Sequence, residues 1–145
     1  MLELHGNIER NYCIQCKTKY SNEEIFSLAG NERAQTIPRC ARCNGLIRPD
    51  VVWFGEILPA DVWNSAVETI KRCDILFTVG TSAVVYPAAS LVELARKYSS
   101  YIVEINIETT PFTSYVDETI LGKSGEVFPQ LVAQLSSLHL ERKIQ

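Results

Sequence analysis

Apolar positions along this chain fall into two regimes that meet near residue 49. After that point, short apolar runs alternate with amphipathic stretches. Val51-Val52-Trp53-Phe54 predicts a short strand, Ile75-Leu76-Phe77-Thr78-Val79 a second that breaks at Gly80, and Tyr101-Ile102-Val103-Glu104-Ile105-Asn106 a third. Runs of this length suit strands buried on both faces of a parallel sheet. Residues 59–72 place Val62, Trp63, Ala66, Val67 and Ile70 on one helical face, and residues 87–98 do the same with Leu91, Val92, Leu94 and Ala95. A last helix is predicted over 127–138 through Val127, Leu131, Val132, Leu135 and Leu138, with a frayed tail from Glu141 to Gln145. The alternation predicts an α/β fold. Three strands are only part of a nucleotide-binding sheet, which normally has about five or six.

Before residue 49 the pattern is different. Residues 11–48 are polar and turn-rich, with little sustained periodicity, and cannot build a large apolar core unaided. One short helix is predicted over 22–30, with Ser21 or Asn22 as N-cap and Gly30 as its stop. The expected organisation is therefore a short leading segment at 1–10, a stapled module at 11–48, and the partial sheet with its helices at 49–145.

Composition narrows the classes. Of 145 residues, 46% are hydrophobic and 21% charged, the balance of a folded globular chain. The net charge of −3 and the lack of a Lys/Arg cluster argue against a nucleic-acid partner. No stretch approaches the roughly 18–20 consecutive apolar residues of a membrane span, and the opening residues do not read as a secretory leader. The expectation is a cytoplasmic protein with no membrane partner. In a reducing compartment, paired cysteines favour metal over disulfides.

Four of the five cysteines form two knuckles, Cys13-x2-Cys16 and Cys40-x2-Cys43. Four thiolates in this arrangement match the tetrahedral geometry and softness preferred by Zn2+. Four cysteine ligands leave no open position, so the predicted metal is structural and chemistry must lie elsewhere. Cys73 stands apart and reads as a small core hydrophobe. Gly80-Thr81-Ser82 follows an apolar strand, where exposed amides and hydroxyls could meet ribose or phosphate oxygens, although the same residues also serve a simple turn. Asn106-Ile107-Glu108 ends the next strand in the same way and equally suits a loop anchor. His5 precedes Gly6-Asn7, and position alone does not separate a general base from an exposed side chain.

Taken in order, His5-Gly6-Asn7, the two knuckles, residues 48–56 (Arg48-Pro49-Asp50-Val51-Val52-Trp53-Phe54-Gly55-Glu56), Gly80-Thr81-Ser82-Ala83-Val84-Val85-Tyr86-Pro87-Ala88 and Glu104-Ile105-Asn106 resemble the sirtuins, NAD-dependent protein-lysine deacylases. The resemblance runs from His5 to the final helix. It implies a partial Rossmann-like parallel sheet with a small zinc-ribbon module, structural Zn2+, and NAD+ as co-substrate. The reaction implied cleaves NAD+ at the nicotinamide bond while an acylated lysine transfers its acyl group, giving nicotinamide, free lysine and O-acyl-ADP-ribose. By similarity His5 is the general base, and Val51, Val52, Trp53, Phe54, Gly55 and Glu56 form the strand on which an acylated-lysine peptide pairs. Gly80, Thr81 and Ser82 resemble contacts to NAD+, Asn106, Ile107 and Glu108 the segment facing the adenosine ribose, and Ser124 a position near the adenine.

A complete sirtuin carries a glycine-rich turn, a mobile cofactor loop and a nicotinamide-binding motif that have no counterpart before His5. The expectation is that these residues alone bind NAD+ poorly and are inactive, and that Met1 marks a split gene product or shortened reading frame. An apolar sheet edge left without a neighbour predicts self-association. The competing reading is a non-catalytic, zinc-stapled peptide-binding module. Acetyl is the default acyl group under the resemblance.

Overall fold

A computed structural model describes residues 1–29 and 37–142. The chain forms two compact units, Met1–Trp63 and Asn64–Gln145. Residues 49–63 thus lie with the cysteine knuckles rather than with the parallel sheet.

The first unit is built on an antiparallel sheet of order β2-β1-β3, with β1 at Gly6–Cys13, β2 at Lys19–Ser21 and β3 at Ile47–Val51. Strand β1 pairs Arg10 with Ser21 on one side and Cys13 with Ile47 on the other, and its register against β3 shifts between Asn7 and Asn11. Such an irregularity bends the strand and re-aims its side chains. Pro49 sits in β3, which is an edge strand among the described residues, where a missing N–H is tolerated. Helix α1 spans Asn22–Ala29. Ser21 caps it as expected: its hydroxyl accepts the Glu24 amide at 3.2 Å, and the Glu24 carboxylate accepts the Ser21 amide at 2.7 Å, a reciprocal capping box. The Gly30 stop lies outside the described residues.

The strand expected at 51–54 is corrected. The strand ends at Val51; the Val52 amide still bonds the His5 carbonyl at 3.0 Å, and Trp53–Glu56 then turn, closed by a bond from the Glu56 amide to the Trp53 carbonyl at 3.0 Å. Gly55 takes a positive φ of 85° in this turn. The apolar run Val51-Val52-Trp53-Phe54 therefore ends in exposed side chains: Val51 and Val52 are half-buried, but Trp53 is 56% exposed and Phe54 95%.

Helix α2, Ala60–Ile70, starts just after Pro59 and carries the chain from the first unit into the second. The second unit contains a parallel sheet of order β4-β5-β6, with β4 at Ile75–Val79, β5 at Tyr101–Asn106 and β6 at Glu118–Leu121. Helix α3, Ser90–Lys97, links β4 to β5, and a single 3-10 turn at Thr113–Tyr115 lies on the way to β6. Helix α4, Ser124–Arg142, closes the chain, starting earlier than the expected 127. The partial Rossmann-like sheet is present, but its third strand is β6 and not 51–54. Ile70, Val92, Ala95 and Ile102 form the core of this unit, with Leu76, Leu94, Phe112 and Val116 packed against them. Cys73 joins that packing, and its thiol meets the Ile70 carbonyl at 3.2 Å, in line with a core role. On α4, Val127 and Leu131 are half-buried while Val132 and Leu135 face outward, so the expected apolar face is covered over part of its length. No described helix is long and apolar enough to cross a membrane.

Candidate functional site

The two knuckles share one local geometry. In the first, the Lys17 amide donates to the Cys13 carbonyl at 3.0 Å, and in the second the Asn44 amide donates to the Cys40 carbonyl at 2.8 Å. Lys17 and Asn44 both take positive φ, 59° and 60°, which reverses the chain and points both sulfurs of each CxxC inward. Each knuckle is then tied off by its leading cysteine: the Cys13 amide to the Thr18 carbonyl at 2.9 Å, and the Cys40 amide to the Gly45 carbonyl at 2.8 Å. The result brings all four Sγ atoms within 4.8 Å of one another, with Cys13 to Cys43 at 3.4 Å and Cys16 to Cys40 at 3.5 Å. Zn–S bonds of about 2.3 Å at tetrahedral angles need sulfurs about 3.8 Å apart, so the set fits a structural zinc.

Hydroxyl groups surround these sulfurs. The Thr18 hydroxyl lies 3.1 Å from Cys16 Sγ, and the Tyr20 hydroxyl donates to Cys40 Sγ at 3.0 Å while accepting the Ala41 amide at 3.1 Å. The Thr18 side-chain and backbone donors lower the Cys16 thiol to about 6. The Tyr20 hydroxyl likewise lowers Cys40. At Cys43 the Gly45 amide pulls downward, yet the crowding sulfurs of Cys13, Cys16 and Cys40 outweigh it and push that thiol up to about 12. A cluster that favours some thiolates and opposes the last is suited to a cation, which removes that opposition.

Residues 48–56 form a closed loop on one arginine. Arg48 donates to both carboxylate oxygens of Glu56, to Oε2 at 2.9 Å, and to the Val51 carbonyl at 2.7 Å. Its guanidinium stacks over the Trp53 ring at 3.9 Å. Glu56 also accepts the Trp53 amide at 2.9 Å, and Arg48 followed by that amide holds the carboxyl at about 2, well below its ordinary range. The buried Arg48 Nε has no hydrogen-bond partner among the described residues.

His5 belongs to the same unit. It occupies the turn before β1, where the Gly6 amide bonds the Glu3 carbonyl at 3.0 Å, and its own carbonyl accepts the Val52 amide at 3.0 Å. The imidazole is exposed. Glu3 braces the turn by accepting from Asn7 at 2.8 Å and from Arg10 at 2.6 Å, and Arg10 reaches Asp50 at 3.3 Å. Gly6 has φ of 74°, and a Cβ there would sit 2.0 Å from the Asp50 carbonyl oxygen, so glycine lets β1 and β3 approach beside His5.

In the second unit, the other expected residues gather at the carboxyl ends of the parallel strands. The Gly80 amide bonds the Ile105 carbonyl at 2.9 Å, Asn106 Nδ2 donates to the Thr81 carbonyl at 3.1 Å, and Asn106 Oδ1 accepts the Ile107 amide at 2.9 Å. Gly80, Thr81, Ser82, Ile107 and Glu108 are exposed. The Gly122 amide joins the Asn106 carbonyl at 2.8 Å, and Ser124 opens α4 just beyond, at the same end of the sheet. Ligands of open α/β sheets bind outside these strand ends.

Thr18 and Tyr20 carry no signal in the sequence, and Arg48 and Glu104 stand there only as motif residues without a role of their own. Arg48 and Glu56 were visible as an opposite pair bracketing an apolar run. Glu104, an acid inside a strand otherwise apolar around it, was the signal for a buried polar anchor.

A family model described as the Sir2 family matches residues 1–87. An NAD-dependent protein deacylase of Pyrobaculum aerophilum is 42% identical over 135 residues, covering 93% of this chain and 51% of the relative. A Sir2 structure bound to an acetylated peptide superposes with a TM-score of 0.85 at 32% identity, covering 93% of this chain and 56% of that one. A Sir2 structure with a p53 peptide and NAD+ gives 0.84 at 32% identity, covering 93% and 55%. The chain spans about half the length of the curated relatives it matches, in their C-terminal part. The family model covers 87 of the 145 residues, more than half, and this chain belongs to the Sir2 family.

Proposed function

We propose that these residues are the zinc-bearing, peptide-accepting and ribose-facing part of an enzyme that removes acyl groups from protein lysines at the expense of NAD+. The observation that carries this reading is the bond from the Val52 amide to the His5 carbonyl at 3.0 Å, which seats the imidazole-bearing residue against the segment that would take the peptide. The relatives are named NAD-dependent protein deacylases, and Sir2 structures hold acetylated and propionylated peptides.

In this assignment His5 accepts the proton of a ribose hydroxyl, a task suited to a neutral imidazole at cellular pH. Residues 51–56 receive an extended substrate. Backbone groups supply affinity with little sequence preference, and the exposed Trp53 and Phe54 supply apolar walls for the lysine stem. Gly80, Thr81 and Ser82 meet NAD+, Asn106, Ile107 and Glu108 face the adenosine ribose, and Ser124 lies toward the adenine. Zinc held by Cys13, Cys16, Cys40 and Cys43 supplies no Lewis acid and serves as the fastener of its module. Thiolates used in this way suit a reducing compartment, consistent with a cytoplasmic location.

The test is nicotinamide release from NAD+ and an acetyl-lysine peptide. It compares the 145 residues alone with the same residues joined to the remaining half of the Pyrobaculum aerophilum relative. Release is expected from the joined protein and not from the isolated chain, and His5→Ala should reduce it by a factor of about 10² or more. A joined protein that releases nothing would overturn the reading. Peptide binding without release would favour the non-catalytic peptide module, which the exposed Trp53 and Phe54 also suit. Among the described residues β4 pairs on one side, with Ile75 and Phe77 exposed, and we propose that this edge supports self-association of the isolated chain. A clean monomer in sedimentation at tens of micromolar would count against it.

A further inference from the structure

Glu104 lies at mid-strand in β5 with 2% exposure, which is an unfavourable place for a carboxylate. Its partners among the described residues are hydroxyls. Thr110 Oγ1 donates to its Oε1, Thr113 Oγ1 donates to its Oε2 at 2.6 Å, and Thr119 Oγ1 on β6 lies 3.4 Å from Oε2.

Those hydroxyls are themselves committed on their acceptor side. Thr110 Oγ1 accepts the Phe112 amide at 3.2 Å, and Thr113 Oγ1 accepts the Thr110 amide at 2.8 Å. Each hydroxyl therefore relays a backbone N–H of the 107–117 segment to one carboxylate. At the far end of the segment Asp117 is fastened to the start of β5, its carboxylate accepting the Ile102 amide at 2.8 Å and its own amide donating to the Ile102 carbonyl at 2.9 Å. At the near end Asn106 is fastened to Thr81 at 3.1 Å. Between Asn106 and the Glu104-held Thr110 lie only Ile107, Glu108 and Thr109, all three exposed, with the Ile107 amide bonded to Asn106 Oδ1 at 2.9 Å.

We propose that Glu104 is a positioning residue, holding the 107–117 segment so that Asn106, Ile107 and Glu108 form a preformed ledge for the ribose of the nucleotide. This rests on the reading that these residues face NAD+, and it explains the buried carboxyl group: a leucine would pack in a sheet interior without needing three hydroxyl partners. Replacing a buried, hydrogen-bonded polar group by an apolar one of similar size is often neutral or stabilising overall, so global stability cannot reveal the role. Local order can.

The experiment uses the 145-residue chain and amide hydrogen exchange by NMR, with ADP-ribose as the probe ligand. In Glu104→Leu the Thr110 and Phe112 amides should exchange on the order of tenfold faster, while the Val103 and Ile105 amides of β5 keep their protection. Thr110→Val with Thr113→Val should reproduce this from the other side of the bonds, and covers the case in which Glu104→Leu fails to fold. Glu104→Gln keeps an acceptor oxygen and should restore most of the protection. ADP-ribose should shift the Gly80 and Asn106 amides of the parent chain and of Glu104→Gln, and bind Glu104→Leu several-fold more weakly. Unchanged Thr110 and Phe112 exchange in both the Leu variant and the double Val variant would overturn the proposal. Faster exchange with undiminished ADP-ribose binding would overturn it as well. If the parent chain shows no ADP-ribose shifts even at the high ligand concentrations that weak binding by this half of the enzyme requires, the nucleotide reading of these strand ends fails, while the exchange rates still decide whether Glu104 holds the segment.

Discussion

Arg48 and Glu56 show how one pair of side chains can decide the shape of a segment. The guanidinium lies over Trp53, binds the Val51 carbonyl and forks onto Glu56, so that the 48–56 loop closes around a single charge. Because Arg48 holds the Glu56 carboxyl at about 2 against an ordinary 4.5, the folded form favours the ionised state. The contribution is complete above the ordinary value and is lost as pH falls from there toward 2. The expected outcome is that the 13C carboxyl signal of Glu56 still sits at its ionised position at pH 4.5, whereas Arg48→Met leaves it half-titrated there. Half-titration in the parent chain would show that the pair is solvent-separated. Tyr20 makes a second residue-scale case. Its hydroxyl bridges Cys40 Sγ and the Ala41 amide, and Tyr20→Phe removes that bridge while keeping the ring packed beside Cys13, Cys40 and Ile47. Outer-shell partners are worth about 10- to 100-fold in metal affinity, so zinc release to a chromophoric chelator should quicken by about tenfold. An unchanged rate would mean that the backbone amides near Cys40 suffice.

At the scale of elements, what was legible followed burial. Strands β4 and β5 lie where their apolar runs predicted, because β5 is covered on both faces and its residues Ile102, Val103 and Ile105 are buried. Strand β1 was invisible for the opposite reason. Its inward positions include Asn11, which is buried and bonded to Asn22 at 2.7 Å, so polar pairing replaces the alternation that a strand normally shows. Strand β6 begins with Glu118-Thr119 and is too short and mixed to stand out. The run at 51–54 misled because exposed aromatics look like core in a linear pattern. The site shared this fate: cysteine spacing announced the metal cluster, and small residues after β4 announced the strand ends, but the hydroxyl relay under Glu104 joins residues whose proximity depends on the crossover to β6. One close approach between elements gives a clean test. In Gly6→Ala the new methyl meets the Asp50 carbonyl oxygen at 2.0 Å in a backbone already at positive φ. The expected cost is at least about 2 kcal/mol by thermal or denaturant unfolding, together with loss of protection at the Val52 amide that bonds His5. Retained Val52 protection would mean that β1 and β3 can separate without disturbing the turn.

Across the whole molecule, the two units are stabilised in different ways. The second buries Ile70, Val92, Ala95 and Ile102 with a ring of partly buried neighbours, an ordinary apolar core. In the first, the buried cluster is Cys13, Cys40 and Ile47, packed by Cys16, Tyr20 and Ile25. Half of that cluster consists of metal ligands, so the core of the knuckle region is the metal site. Binding free energy for structural zinc is then largely folding free energy, on the order of 10 kcal/mol at neutral pH. A chelator strong enough to strip the metal should abolish the amide dispersion of β1, β2 and α1 while leaving that of β4, β5 and α3 in place. Adding one equivalent of Zn2+ under reducing conditions should bring it back. Cys43→Ser probes the same dependence from the most exposed ligand, and should lower zinc affinity by orders of magnitude without moving the signals of Ile102 or Val92. Should both units melt together when zinc leaves, the parallel sheet would owe its stability to the knuckles as well, and the separate cores would be a feature of packing without independent cooperativity.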